Sequence, residues 1–496
     1  MNKPIRIISI LCLVMFVALL GNATYLQYWK AGDFRDDGTN RRVVDADFSR
    51  ERGAILVGRE PIAESVPSDD RYEFQRTYPK PFLYAPLTGY FGYGGAITGV
   101  ERSQNSVLSG DDDRLFVTRM VDLLSNEGAQ GGDVALTINP RAQRAAMDGL
   151  EALPGDVQGA VVAIEPSTGK ILAMASAPTY DPNKLAVHDQ GEWQRNAEQL
   201  EGNESQPLLN RAVQTTLPPG STFKIVTAAA ALSTGKYSAD SQVPGGATYQ
   251  LPLTSGESGE IDNEGRDCGS GRIPFAQAME NSCNTTFAAL ANEVGPEAML
   301  EQAEAFGFNQ EYFDDLQGTN GKSLQAVSRF PEEMDEAQTG QTGIGQFEVR
   351  ATPLQMAMVS AGIANHGTVM KPYLVDEIQS ADSDVVDRTE PTELSQAVSP
   401  EVAAGLTDLL VSTVSNGTAS PAAIPGIDVA GKTGTAQSGQ DDVPPYAWFT
   451  SFAPADNAKV AVAVVIQKAD IPRSEIAGGT YGGPIAKAVM EAVINQ

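Results

Sequence analysis

Strand-forming sequence occurs at two places far apart in this chain, and any fold must bring them together. Gly159-Ala160-Val161-Val162-Ala163-Ile164 is an apolar strand, Pro166-Ser167-Thr168-Gly169 a turn, and Lys170-Ile171-Leu172-Ala173-Met174-Ala175-Ser176 its return strand. Residues 427–434, 448–453 and 460–468 read as three more strands, the first pair joined by a long polar loop over 438–445 and the second by a turn at 454–457. The stretch between 210 and 415 is mostly helical by pattern, with helices expected at 275–281, 285–294, 297–306, 353–365 and 400–415. An amphipathic helix follows at 483–494. The economical fold is α/β (α+β): one central antiparallel sheet closed by bringing the ends of the region together, flanked by helices.

At 496 residues the chain is too long for one ordinary core. Lys3 and Arg6 precede an apolar run over 7–20 broken only by Ser9, and Tyr25, Tyr28 and Trp29 follow it. A basic front and an aromatic rear suit a segment crossing from cytoplasm to exterior. The strict run is shorter than the ~20 residues of a spanning helix, and Gly21-Asn22-Ala23 offers a weak cleavage site. Residues 1–30 are read as a membrane anchor, with a cleaved signal peptide as the alternative, and the rest as exported. Residues 31–155 form a mixed, non-catalytic module. A strand-like stretch begins at Arg50, glycine and tyrosine crowd 84–99, 108–131 is helical in part, 132–138 is a strand and 139–153 a helix. The third unit is 156–496.

Net charge is −28 with a pI near 4.4, which argues against nucleic acid or an anionic lipid surface as the main partner. The two histidines, His188 and His366, give a Ser-His-Asp triad or a histidine metal site little to draw on. Cys12 lies inside the apolar run, whereas Cys268 and Cys283 fall in the exported part, where an oxidising exterior permits a bridge between them. Two unpaired thiols facing apart are the alternative.

The chemistry gathers around Pro218-Pro219-Gly220-Ser221-Thr222-Phe223-Lys224. Two prolines and a glycine stop what precedes, and Ser221 then opens an Ala-rich helix ending near Gly235. Residues three apart share a helix face, so a hydroxyl and an amine stand side by side at a helix N-terminus. The positive dipole end there disfavours a second cation and pushes Lys224 toward its neutral form, a base beside a nucleophile. Asn281-Ser282-Cys283-Asn284 places a second hydroxyl and an amide on a turn after a helix, and Lys432-Thr433-Gly434-Thr435 lies on an expected strand. Gly434 leaves room for an extended substrate backbone. Singly, each pattern is more often a cap, a turn or an ordinary strand. Together, at separations of 61 and then 150 residues and each in suitable local structure, they are specific.

In these motifs the chain resembles the penicillin-binding proteins and serine β-lactamases, whose signature is Ser-x-x-Lys, Ser-x-Asn and Lys-Thr-Gly. Asn210-Arg211-Ala212, the 177–183 segment, Gly343-Ile344-Gly345-Gln346 and Thr352-Pro353-Leu354-Gln355 are similar to landmarks of the transpeptidase domain. Arg52-Gly53-Ala54-Ile55 and 132–143 resemble the N-terminal module of the monofunctional class B type, and the layout is most like the actinobacterial cell-division proteins. The resemblance implies that Ser221 attacks the D-Ala-D-Ala carbonyl of a peptidoglycan stem peptide and Lys224 takes its proton, with Lys432 helping to keep Lys224 neutral. It implies that Ser282 relays a proton to the leaving nitrogen and that Asn284 holds the substrate amide and Lys224. Backbone N–H groups of Ser221 and Thr435 form the oxyanion hole, Thr433 and Thr435 bind the substrate carboxylate, and β-lactams acylate the same serine. Membrane attachment and divisome or elongation proteins are the implied associations, with no metal, organic cofactor or nucleic acid. The alternatives are a D,D-carboxypeptidase or β-lactamase, or a silent division scaffold. A class A lactamase glutamate in Glu-x-x-Leu-Asn does not occur between Ser282 and Lys432, and intact motifs argue against the scaffold.

Overall fold

The structure, a computed structural model, describes residues 3–30, 48–93, 96–115, 130–439 and 443–495. The expected hairpin forms from Gln158–Ile164 and Ile171–Ala177, and its first strand pairs antiparallel with Val460–Lys468. Tyr446–Ala453 and Ala430–Ala436 continue outward, so the five-stranded sheet runs 430–436, 446–453, 460–468, 158–164, 171–177. Every residue of Ile171–Ala177 is buried, as are all but the last two of Val460–Lys468. Strands that are apolar at successive positions must be covered on both faces. Adjacent residues of one strand mark the two covers. Thr450 Oγ1 donates to Met356 O (3.3 Å) on the buried helix Pro353–Ala364, whereas Ser451 Oγ lies 3.5 Å from Met490 Sδ on the helix Gly483–Ile494. Successive strand side chains point to opposite faces, so these helices sandwich the sheet. Pro140–Glu151, capped by Asn139, packs beside the 483–494 helix and against 171–177.

A second, six-stranded sheet runs 385–388, 375–379, 133–136, 55–57, 60–67, 74–77. Ile55–Val57 lies parallel to Asp133–Leu136, and Val375–Gln379 pairs antiparallel with Asp133–Leu136. The N-terminal module is thus hydrogen-bonded to chain far beyond residue 156. No strand is read at 375–388 from sequence because the segment is short and Val385–Arg388 is exposed at every position. The same holds for the small hairpins 242–245 with 271–274 and 248–250 with 260–262, which interrupt the stretch read as helical. Within the module, Glu101 is fully buried between Arg52 Nε (2.7 Å) and Arg76 Nε (2.6 Å), and the Tyr78 hydroxyl donates to it at 3.2 Å. Of the helical expectation over 108–131, residues 116–129 lie outside the described residues, as do 440–442 of the 438–445 loop.

The N-terminal helix Lys3–Thr24 has 22 residues, none buried. At ~1.5 Å per residue it reaches about 33 Å, enough for the ~30 Å apolar core of a bilayer. Gly21, Asn22 and Ala23 continue the helix, so it outruns the strictly apolar stretch. Among the described residues it is the one helix long and apolar enough to cross a membrane.

Candidate active site

Ser221 sits in a tight 3-10 turn, Gly220–Thr222, and the α-helix begins only at Lys224, running Lys224–Ser233. The expectation of an α-helix opening at Ser221 is corrected by one turn. Gly220, at φ 54°, follows two prolines and its carbonyl accepts from Phe223 N–H at 2.9 Å, an i→i+3 bond. Phe223 anchors the turn, 5.5 Å from the rings of both Phe308 and Phe330. Gly220 N–H donates to Gly345 O (3.0 Å), and Thr222 Oγ1 to Pro219 O (2.7 Å). Ser221 is 8% exposed, and its Oγ makes no hydrogen bond among the described residues.

Lys224 Nζ turns instead to the second motif. It lies within donating distance of Asn284 Oδ1 (2.6 Å), Ser282 O (2.8 Å) and Ser282 Oγ (3.2 Å), two of which a neutral amine serves at once and all three an ammonium, and 5.5 Å from the Phe287 ring centroid. Lys432 Nζ reaches the same Ser282 Oγ at 2.8 Å and Thr433 O at 3.0 Å. Both lysines are fully buried. Burial holds the Lys224 ammonium well below the usual lysine range, and the charges of Lys432 and Arg266 lower it further. Burial, with Arg266, brings Lys432 down to about 7. Burial thus acts on Lys224 in the same direction as the positive end of the helix dipole.

Ser282 is held at φ 53°, a left-handed conformation for a serine. Its neighbour Cys283 is bonded to Cys268, with Cα atoms 5.8 Å apart. Asn284 opens the helix Asn284–Val294 and donates from Nδ2 to Asp262 O (2.9 Å). On the Ala430–Ala436 strand, Thr433 and Thr435 share one side and are half-buried, and Thr433 Oγ1 is 2.9 Å from Thr418 Oγ1. Gly434 also has a packing role inside the protein. A Cβ there would meet Thr222 Cγ2 at 2.9 Å and Pro219 O at 3.0 Å, so the missing side chain admits the protein's own Ser221 turn.

Ser221, Ser282, Asn284, Thr433, Gly434 and Thr435 line one cavity of about 150 Å³. Three segments widely separated in sequence meet at this place. A larger cavity of about 760 Å³, beside Glu151, Asp156 and Lys468, holds none of the motif residues. Glu264, Arg266, Ile344, Gln346 and Gln437 also line the small cavity, and of these Glu264, Arg266 and Gln437 are not picked out by sequence. Gly343-Ile344-Gly345-Gln346 stands out only as a family landmark, and the one local signal at 264–266 is the glycine between the two charges. No group of three or more His, Cys, Asp or Glu that could hold a metal ion occurs among the described residues.

A family model described as the penicillin-binding protein transpeptidase domain matches residues 159–491, and one described as the penicillin-binding protein A dimerisation domain matches 52–134. The peptidoglycan D,D-transpeptidase PbpA of Mycolicibacterium smegmatis is 41% identical over 501 residues, covering 100% of both chains. Its namesake in Mycobacterium tuberculosis is 40% identical, over 100% of this chain and 99% of that one. Among solved structures, the ceftriaxone acyl-enzyme complex of M. tuberculosis penicillin-binding protein A superposes with a TM-score of 0.85 at 40% identity, covering 91% of this chain and 100% of that one. The imipenem acyl-enzyme complex of the same protein gives 0.82 at 39% identity, covering 90% and 99%.

Proposed function

The chain belongs to the class B penicillin-binding protein transpeptidases, and from that membership we propose how its residues divide the work of a peptidoglycan D,D-transpeptidase that β-lactams acylate. The observation that carries the assignment is the continuous set of hydrogen bonds from Asn284 through Lys224 and Ser282 to Lys432, of which Ser282 and Asn284 line one cavity with Ser221.

Ser221 Oγ attacks the carbonyl between the two D-alanines of a stem peptide, and its proton passes to the neutral Lys224 amine. The Ser282 hydroxyl accepts from Lys432 and hands its own proton to the leaving D-alanine nitrogen, then takes one back from Lys224. The C–N bond breaks and an ester to Ser221 remains. An acceptor amine on a neighbouring strand attacks that ester, the C–Oγ bond breaks, and the amine's proton returns to Ser221. Backbone N–H groups of Ser221 and Thr435 hold the oxyanion, where loss of one such donor typically costs about 10²–10³ in rate. Strand 430–436 is the sheet edge at this cavity, so an extended peptide can add alongside it, its terminal carboxylate against Thr433 and Thr435.

Residues 1–30 are assigned as a single-pass membrane anchor, 31–155 as a pedestal or dimerisation module that meets divisome or elongation partners, and 156–496 as the extracytoplasmic catalytic domain. The exposed Lys3–Thr24 helix and the match of 52–134 to a dimerisation domain support this division.

Labelling the full-length chain in detergent with a fluorescent penicillin, followed by intact mass, tests the mechanism. A slowly released adduct that disappears in Ser221→Ala is expected. Rapid drug turnover points to a hydrolase, and no adduct on the folded wild type overturns the acyl-serine assignment.

A further inference from the structure

The Asp262–Cys268 loop is docked residue by residue on the second motif. Asn284 Nδ2 donates to Asp262 O (2.9 Å), Thr285 N–H to Asn263 Oδ1 (3.1 Å), and Asn281 Nδ2 to Asp267 O (2.8 Å), while Cys268 is bonded to Cys283. Within the loop, Arg266 N–H donates to Asn263 O at 3.0 Å, with Glu264 at φ 52° and Gly265 at φ 78° between them. Two left-handed central residues closed by an i→i+3 bond are the mark of a type I′ turn, whose first central position favours Asn, Asp or Gly. This chain spends that position on a glutamate. Glu264 Oε2 accepts from Arg266 Nη2 at 3.0 Å, and both side chains line the catalytic cavity. Both charges are felt at Lys224, the guanidinium lowering and the carboxylate raising its proton affinity.

Neither residue forms or breaks a bond in the acyl-enzyme mechanism; there Arg266 acts only through its charge on Lys224 and Lys432. The donor's carboxylate is already provided for at Thr433 and Thr435, whereas nothing in that constellation meets the acceptor. We propose that Glu264 and Arg266 are the acceptor subsite, selecting an amine that has a carboxylate on the same carbon. Glu264 takes the ammonium and Arg266 the carboxylate, so an α-amino-acid head replaces the ion pair the two make with each other. The ammonium gives one proton to water before it attacks; Glu264 positions it and forms no bond in the transfer. The inference rests on the acyl-serine reading above.

The test uses the full-length chain in detergent and a thioester donor whose acyl part ends in D-alanine, so that one acyl-enzyme partitions between water and an added amine. D-alanine carries the carboxylate and D-alaninamide lacks it. The amide's amine is the less basic, so the readout is the change in the D-alanine to D-alaninamide product ratio between wild type and variant. Arg266→Gln is expected to lower that ratio about three- to tenfold, the size of one exposed charge-assisted contact. Arg266→Lys should keep most of it and Arg266→Glu should reverse the preference. Glu264→Gln and Glu264→Asn should lower aminolysis relative to hydrolysis with both amines. Asn suits the left-handed position, so Glu264→Asn removes the charge without straining the turn if Gln disturbs it. A ratio unmoved by Arg266→Gln, or a partition unmoved by Glu264→Asn, overturns the subsite while leaving the acyl-enzyme intact. Failure of the wild type to form any acyl-enzyme on Ser221 overturns the acyl-serine reading itself, and the subsite with it.

Discussion

Lys224 and Lys432 donate to the same oxygen, Ser282 Oγ, from 3.2 and 2.8 Å. A hydroxyl has two lone pairs and one proton. With both lone pairs taken by amines, its own proton is left free for a third group, which in the proposed mechanism is the leaving nitrogen. Two ammonium groups on one buried oxygen would repel each other in a medium that screens poorly. The arrangement therefore favours a state with at least one lysine neutral.

The acid limb of the acylation profile follows from this. In the proposed mechanism Lys224 must be neutral to accept the Ser221 proton, so acylation is expected to fall as pH drops through its pKa. Burial sets that pKa low and the Lys432 charge lowers it further. Lys432→Gln removes the second contribution, so the acid limb should move to higher pH. Penicillin acylation rates of wild type and variant across about pH 5 to 9 decide it. A limb that stays in place, or moves down, would remove the electrostatic role from Lys432.

Gly345→Ala tests how tightly the nucleophile turn is held. Gly345 has φ 71°, and a Cβ there would meet Gly220 O at 2.2 Å, a backbone atom that cannot swing aside. The substitution must displace the Ser221 turn. A loss of about tenfold or more in acylation rate is expected, because small displacements of a reacting group are costly, while far-ultraviolet circular dichroism stays native. Wild-type acylation in the variant would show that the turn tolerates the shift.

The sheet was legible because its strands are long and apolar: Val460–Lys468 coincides with its sequence bounds. Of the second sheet, the strand at 132–138 and the strand-like stretch from Arg50 were legible, as Asp133–Leu136 and Ile55–Val57; Val375–Gln379 was not, since it is five residues long and is held by pairing with 133–136, not by local pattern. At the site, Ser221, Lys224, Ser282, Asn284 and Lys432 were readable as motifs. The contact of Asn284 with Lys224 came only from the family resemblance; that Lys224 also reaches Ser282, and that Gly434 makes room for Thr222, depend on how three distant segments pack, which spacing along the chain does not encode. Glu264 and Arg266 gave no signal because a charged turn is ordinarily just solvated.

Glu101→Gln should destabilise the N-terminal module strongly. It would leave Arg52 and Arg76 buried without a counter-charge, a class of change that costs about 3–5 kcal/mol. Burial alone would raise the Glu101 pKa, but Arg76 and Arg52 outweigh it and hold the carboxyl below its ordinary value. A depressed folded-state pKa contributes stability above the unfolded-state value, lost as pH falls through the folded one. Thermal melting of the wild type should therefore fall toward acid, and Glu101→Gln should already melt early at neutral pH. An unchanged melting temperature at neutral pH would mean that the two arginines find other partners.

The bond between Cys268 and Cys283 makes the strongest stability prediction near the site. It closes a loop of 15 residues, for which constraint of the unfolded chain gives about 3 kcal/mol. Both cysteines are buried, so Cys268→Ala with Cys283→Ala removes the bond without burying a new polar group. The melting temperature should drop, and reduction of the wild type should lower it similarly. Acylation should slow far less, because Asn284, Thr285 and Asn281 each keep a hydrogen bond to the same loop. If acylation instead collapses while melting is little changed, the bond acts by placing Ser282 and Asn284, and those hydrogen bonds alone do not hold the motif.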